Sequence, residues 1–552
     1  MISRILLYFH TLKYLRIGQI FHRLWRARPR MIPPLNDIPS LRAPAAPLCE
    51  PAPKLISMTG ARTFRFLNFE DSLPASDDWS ALGDGLLWRY NLHYFDDLTA
   101  VQNAERQDWH LSFISQWIAS QTFGSAVSWD AYPISLRLVN WIKFHHGGVR
   151  LTPEMQASLA QQAHWLAHNI EWHLCGNHLF VNAKALLAAG CFFDGPAAES
   201  WSATGIKILD TELDEQILPD GGHFELSPMY HALITEDILD LIALTDCYHL
   251  PALQQRRAKL VQKADAMLNW LQLMCHPDGQ ISFFNDASFG IAPELDALIA
   301  YAKRLGLKQT KIADMLLKKL PALKKLPDSG YYRIDKGPFT LVADMAAVGA
   351  SYIPGHAHAD TLSFELSVFG DRVIVNGGVS TYRPGALRMA ERGTHSHSTV
   401  CIEGQNSSEI WGGFRVARRA HIHDIICSHT TKGISLEASH DGYSRLAGHP
   451  IHHRQWHCTS SELIITDNIN ADRLSADTRF ILHPQITVRQ ESKDKFILSL
   501  PMGRHLLMEL SRGQIITADY AIGFGTRLPT LALVAALSEG KSCVKLTLME
   551  SV

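Results

Sequence analysis

No run of about 18 consecutive apolar residues occurs in this chain of 552 residues, so no segment is fit to cross a bilayer as a helix. Neither sign of charge is in excess, because 52 Lys and Arg stand against 54 Asp and Glu. That balance gives no bulk attraction to nucleic acid or to an anionic membrane, and a polyanionic partner must be held by local groups. Cysteine pairs are missing too. The nine cysteines, at positions 49, 175, 191, 247, 275, 401, 427, 458 and 543, show no CxxC spacing. An odd, scattered set argues against a disulfide framework or a zinc knuckle and for a reducing compartment. The opening stretch, MISRILLYFHTLKYLRIGQIFHRLWRARPR, lacks an uninterrupted apolar core because Arg4, Lys13, Arg16 and Arg23 break it, and it has no small-residue cleavage site. A cytoplasmic location is expected from this, with a periplasmic one left open. Leu6, Leu7, Tyr14, Leu15, Ile20 and Leu24 recur there at roughly helical spacing. The pattern suits a helical arm packed on its own domain, the commoner case, or a peripheral contact with a membrane or partner.

What is present is enough apolar residue, 46%, to bury large cores in two to four domains. Residues 31–53 are rich in Pro and Ala and read as a linker or wrapped arm, so 1–55 form an N-terminal arm. From 56 to 327 a succession of segments with helical periodicity, such as QDWHLSFISQWIASQ, GNHLFVNAKALLAAGCFF and SPMYHALITEDILDLIALTDCYH, predicts an all-helical array. From 328 to 552 short alternating segments between Gly, Asn, Asp and Pro turns predict an antiparallel β-sandwich. The fold class is therefore α+β and multidomain, helical then β.

Four clusters carry candidate chemistry. In GHAHADTLSFELSVFGDRVIVNGG, His356 and His358 project to one side of an extended lead-in, ahead of a half-buried strand in which Leu362, Phe364, Leu366 and Val368 face the core. Gly370-Asp371 suits a two-residue turn that brings Asn376 near Glu365. The metallo-β-lactamase signature also begins His-x-His-x-Asp, but it needs another His where Thr361 stands. In GNHLFVNAKALL, Asn177 and His178 open an apolar helix, where they can cap it or face an anion drawn to the helix N-terminus. In LPDGGHFELSPMYHALI, Ser227 is a candidate N-cap with Pro228 in the first turn, which places Tyr230 there as well. The turn at Gly221-Gly222 lets His223 and Glu225 approach the same cleft. In RGTHSHSTVCIEGQNSSEIWGGFRVARRA, His397 precedes a strand, and Arg415, Arg418 and Arg419 follow Trp411, a surface suited to an acidic sugar chain.

Taken in order, these motifs resemble the heparinase II/III family of polysaccharide lyases, from about Trp88 to about Arg419. WRYNLHYFDDL and WDAYPISLRLVNWIKF are similar to the branch associated with bacterial exopolysaccharide or capsule loci. The resemblance implies an (α/α) toroid followed by an antiparallel β-sandwich, acting on an acidic, uronate-containing polysaccharide by β-elimination without a nucleotide or organic cofactor. It implies that Asn177 and His178 neutralise the uronate carboxylate, that Tyr230 is general acid and for one C5 epimer also base, and that His356 is base on the other face. Tyr94, His223, Glu225, Trp411 and Arg415 would touch substrate. A structural Zn²⁺ is the one metal implied, through His358, Asn376 and His397. There the family has Asp where this chain has Asn376, and a neutral Asn binds zinc more weakly. Asp360 is then read as support for the strand entrance. The residues leave two other readings open: a non-catalytic or assembly-linked binder of acidic polysaccharide, and a metal-dependent hydrolase built on His356, His358 and Asp360. Oligomeric state is not legible.

Overall fold

The computed structural model describes residues 2–26, 31–74, 78–79, 82–307, 322–471 and 473–549. Two short helices, α1 (Ile2–Leu12) and α2 (Ile17–Arg26), precede a Pro-rich stretch that lies on the helical body. The N–H groups of Ala45 and Ala46 donate to the Cys247 carbonyl, and Lys54 pairs with the buried Glu236 carboxylate at 2.5 Å. A small antiparallel sheet (58–60, 63–66, 69–72) leads into the helices. These are α3 (Leu86–Tyr94), α4 (Gln107–Ser120), α5 (Ala131–His146), α6 (Pro153–His168), α7 (Gly176–Phe192), α8 (Pro196–Gln216), α9 (Pro228–Tyr248), α10 (Pro251–Gln254), α11 (Arg257–Met274) and α12 (Leu295–Arg304).

Helices α7 and α9 are buried around nearly their whole circumference, as sequences apolar on all sides require, and form the inner layer of the helical toroid. Their charges are paired: Lys184 with Asp237, and Lys143 with Asp240 at 2.7 Å. Helices α7 and α8 approach closely because Gly205 carries no Cβ; one built there would lie 2.7 Å from Leu187 and 3.0 Å from the Ala183 carbonyl. Among the described residues no helix is long and apolar enough to cross a membrane.

The β region is a sandwich of two antiparallel sheets. One runs in the order 422–429, 434–440, 452–458, 462–469, 541–548, 505–510, 495–499, 487–492, and the other 514–523, 526–536, 476–482, 371–375, 364–368, 339–344, 331–336, 323–326. Side chains from both, including Phe364, Trp456, Phe480, Leu498 and Val544, share one core. The strand His452–Cys458 escapes the binary pattern because its inward face includes Arg454, which is fully buried and paired with Asp467 at 2.7 Å.

Two expectations need correction. The turn after Val368 is Phe369-Gly370, both at positive φ, with Val368 opposite Asp371; the turn lies one residue earlier than Gly370-Asp371. The strand Phe364–Val368 is also buried on both faces, not one. Its polar face meets the helical domain, where the His276 ring reaches Ser367 Oγ at 2.7 Å and Glu365 Oε2 at 2.8 Å. The alternation of Ser, Glu and Ser that looks solvent-facing marks the interdomain contact.

Candidate active site

Ser227 caps α9 by accepting the Tyr230 N–H at 3.2 Å, with Pro228 in the first turn. That cap fixes the Tyr230 side chain at the mouth of the helical domain, where its ring lies against His356 from the β-domain, centroids 3.9 Å apart. His356 ends the short turn Pro354–His356, and its Nδ1 is 2.8 Å from Asp286. Asp286 is the hub of the site. Its second oxygen lies 2.8 Å from His358 Nε2, and Arg388 clamps both oxygens, with Nη2 at 2.6 Å. All three of Asp286, His358 and Arg388 are fully buried. Burial alone would raise the Asp286 carboxyl, but the Arg388 charge and the hydrogen bonds from the two histidines hold it well below the usual carboxylate range. With Nδ1–H committed to an ionised carboxylate, His356 turns its other nitrogen, Nε2, toward the helical wall. Burial, with Tyr382 next to it, pushes the Tyr230 phenol well above its ordinary value, so Tyr230 carries its proton; the Tyr382 hydroxyl is 3.1 Å from it.

The helical wall is built at the start of α7. Cys175 and Gly176 both take positive φ, and a Cβ on Gly176 would stand 2.3 Å from Ile353 and 2.6 Å from Glu225 Oε1, so only glycine fits. This lets Glu225 occupy the helix N-terminus: its Oε1 accepts the Asn177 N–H and Nδ2–H, each at 2.9 Å. Glu225 Oε2 lies 3.6 Å from His356 Nε2, which joins the two walls. His178 Nδ1 is 3.2 Å from Glu171, and its ring packs on Tyr132 at 4.6 Å. Burial works against charge on His178, but the Glu171 carboxylate beside it outweighs that, and its pKa stands above the ordinary 6.5.

Of the expected site residues, Asn177, Glu225, His356 and Tyr230 are therefore joined by successive contacts, with His178 beside Asn177 in the first turn of α7. His223 is fully enclosed, with Nε2 3.0 Å from Gln216 and its pKa pushed to about 4 by burial; it is a neutral support with no surface to offer a sugar. Tyr94 is nearly enclosed as well, its ring 6.0 Å from Tyr132. Trp411 and Arg415 flank a short hairpin whose turn reaches the cluster, since the Gly413 carbonyl accepts Arg388 Nε–H at 3.1 Å and Phe414 lies 6.3 Å from His356. Their own side chains turn to the arm: Trp411 Nε1 donates to Thr11 Oγ1 at 3.0 Å, Tyr8 packs edge-on at 4.8 Å, and Arg415 stacks over Trp411 at 4.7 Å. That face is given to the N-terminal arm. Arg418 pairs with Glu409, and Arg419 stacks on Tyr14.

The structure also regroups the candidate metal ligands. Atoms of His358, Asp360 and His397 all lie within 4.8 Å of one another. Asn376 instead spends its amide on protein, donating to the Phe283 carbonyl at 2.9 Å and accepting the Ser398 N–H at 3.1 Å, while its N–H goes to Glu365. Asp360 also supports the strand entrance as expected, accepting the Asn285 N–H at 3.0 Å. His356 is outside the trio, which removes the basis for a hydrolase centre of His356, His358 and Asp360. Sequence reasoning missed Asp286, Arg388, Tyr382, Glu171 and Tyr132. The one available signal was a single acid set in the apolar stretch ISFFNDASFG, which must find a cation when buried.

A family model described as Heparinase II/III N-terminus matches residues 97–299, and one described as Heparinase II/III-like, C-terminal matches residues 318–545. The heparin-sulfate lyase of Pedobacter heparinus is 29% identical over 279 residues, 46% of this chain and 40% of that protein. FtsZ-localized protein C of Caulobacter vibrioides is 25% identical over 384 residues, 64% of this chain and 60% of that protein. The chain thus spans less than two thirds of the length of each of these relatives. Among solved structures, a mutant heparan sulfate lyase from Pedobacter heparinus matches with a TM-score of 0.62 at 18% identity, over 89% of this chain and 82% of that one, a likeness of fold.

Proposed function

The chain belongs to the heparinase II/III-like family, and we propose that it is a polysaccharide lyase that cleaves a uronate-containing acidic polysaccharide by β-elimination. The observation that carries this reading is the contact between Tyr230 and His356 across the two domains, with Asp286 leaving His356 Nε2 available. A uronate C5 hydrogen is poorly acidic, so its carboxylate must be neutralised while a base removes the proton and an acid protonates the leaving glycosidic oxygen. His178 and Asn177 supply the neutralisation. His356 Nε2 takes the C5 proton; the C5–H electron pair becomes the C4=C5 double bond, and the C4–O pair leaves with the oxygen, which takes the Tyr230 proton. The Tyr230 phenolate, hydrogen-bonded by Tyr382, then regains a proton from the adjacent His356 imidazolium. For the other C5 epimer Tyr230 first passes its proton to the adjacent His356, takes the C5 proton as the phenolate, gives that proton to the leaving oxygen and then regains its own from the His356 imidazolium.

Glu225 now holds both Asn177 donors, so a uronate carboxylate has to displace it. This same observation favours a second reading, a binder without turnover. Incubation with acidic polysaccharides, followed by near-ultraviolet absorbance of the unsaturated product, decides between them: no absorbance from any uronate polymer, with binding retained, establishes the second.

The raised His178 pKa sets a pH dependence. A group with a raised pKa is charged below it and loses the proton as pH climbs through it, so the carboxylate-neutralising cation is lost on the alkaline side of 6.5. The KM of the wild type is expected to rise through that window by about tenfold, the scale of one charge-assisted hydrogen bond. In His178→Gln the KM should be high and flat; a wild-type KM indifferent to pH there removes His178 from carboxylate binding.

We further propose that His358, Asp360 and His397 hold a structural Zn²⁺. The donor set suits zinc, the second nitrogen of His358 is tied to a carboxylate as metal-binding imidazoles usually are, and His397 Nδ1 is buried without a protein partner. Bound there, zinc would tie the chain before the 364–368 strand to the loop before 400–402, and the acid–base steps would not pass through it. Elemental analysis should find about one zinc per chain, lost in Asp360→Ala and kept in Asn376→Ala. Loss in the second variant alone would restore Asn376 as the ligand.

A further inference from the structure

The N-terminal arm is amphipathic in the reverse of the expected sense. The sides of α1 and α2 that face the protein make polar and ring contacts: Thr11 with Trp411, Arg16 with Glu215 and the Tyr352 ring, Gln19 with the Tyr352 carbonyl, and His22 with the Trp172 ring. The apolar side is turned to water. Phe9 and Leu12 of α1 are 62% and 50% exposed, and Ile17, Ile20, Phe21 and Leu24 of α2, at i, i+3, i+4 and i+7, are 86%, 44%, 57% and 67% exposed. A helical arm covering its own domain would have turned this stripe inward. Contiguous exposed apolar surface of this kind marks a contact with something else.

Charge says what that is. Residues 1–36 contain seven Lys and Arg and no Asp or Glu, whereas the remaining 516 residues carry 45 Lys and Arg against 54 Asp and Glu. Arg4, Lys13, Arg23 and Arg26 are exposed beside the apolar stripe. A second copy of the chain docking through the same face would set two wholly cationic arms against each other, whereas an anionic lipid surface answers both the apolar stripe and the basic rim. We propose that α1 and α2 dock the protein on the surface of an anionic bilayer, with Phe9, Leu12, Ile17, Ile20, Phe21 and Leu24 at the boundary between headgroups and acyl chains. The arm is held to both domains, to Glu215 of α8 and to Trp411 of the β-domain, so docking would bring the whole body to the membrane.

The test is co-sedimentation of the full-length protein with vesicles of phosphatidylcholine alone or mixed with phosphatidylglycerol. Binding to the mixed vesicles should be at least about tenfold stronger and should weaken with salt, since each cation held at such a surface strengthens binding about fivefold. The triple variant Phe9→Ser, Phe21→Ser, Leu24→Ser should lose about tenfold or more, while its melting temperature and turnover stay unchanged because these side chains already face water. Lys13→Gln with Arg23→Gln reports the charge independently, should the triple variant fold poorly, and should abolish the preference for phosphatidylglycerol. Equal binding to both vesicle types, undiminished binding by the triple variant, or a wild-type dimer that the triple variant dissolves without any vesicle binding would each overturn the proposal.

Discussion

Replacing Tyr230 by Phe is expected to lower kcat by about a thousandfold while leaving the protein folded, since a positioned general acid contributes about 10²–10⁴ in rate. The geometry separates the two effects. The ring of Tyr230 packs on His356 at 3.9 Å and remains in the variant, whereas the hydroxyl has one side-chain partner, Tyr382 at 3.1 Å. Losing that hydrogen bond costs about 1 kcal/mol, too little to unfold a domain of this size. The chemistry has no substitute donor, because the glycosidic oxygen leaves as an alkoxide unless protonated, and the half-buried Tyr382 phenol is itself held well above its ordinary pKa and is placed to serve Tyr230. The measurement is paired: initial rates of unsaturated product, and thermal melting of both proteins. A variant that keeps more than about a tenth of the wild-type rate at full stability would move the acid elsewhere.

Much of this site can be read from the chain because local rules govern it. Ser227-Pro228 caps a helix in a known way, and so the position of Tyr230 follows from spacing alone. Gly176 ahead of Asn177 and His178 announces a helix start where backbone and anion come close. The helical half followed by the β half follows from periodicity, and the sandwich matches it. What stays hidden depends on contacts between distant segments. Asp286 belongs to no periodic element, yet four donors from residues 356, 358 and 388 converge on it. The regrouping of His358 and His397 with Asp360 likewise reflects where Asn376 finds its partners, at Phe283 and Ser398, rather than any spacing rule.

The arm shows the same limit from the other side. Its helical spacing is plain in the sequence, but periodicity states only that one face is apolar, not which way the face turns. That direction is decided by what α1 and α2 find on the body: Trp411, Tyr352, Trp172 and Glu215 offer rings and charge, which suit the polar side. Trp411 and Arg415, which look from sequence like a sugar platform, are the place where this happens.

Asp286→Asn should lower kcat by about 10³–10⁴ and also cost about 3–5 kcal/mol of stability, the scale for a catalytic imidazole driven to its wrong tautomer and for a broken buried ion pair. The reason lies in counting donors. Asp286 Oδ2 receives His356 Nδ1 and Arg388 Nη2, and Oδ1 receives His358 Nε2 and Arg388 Nη1. An asparagine keeps one acceptor oxygen and replaces the other with an NH₂, so in either orientation two donors meet a donor. If the NH₂ faces His356, the imidazole must accept through Nδ1 and carry its proton on Nε2, the nitrogen proposed to take the C5 proton. If it faces His358, Arg388 still loses half of its partner and the hub shifts. The catalytic and structural parts can be separated by adding Arg388→Met to Asp286→Leu. Removing both charges of a buried pair is far cheaper than removing one, so most of the lost stability should return. The rate should not return, because His356 Nδ1 then has no acceptor to fix its tautomer. A double variant that regains both would reduce Asp286 to a structural ion-pair partner; one that regains stability alone assigns it the orientation of His356.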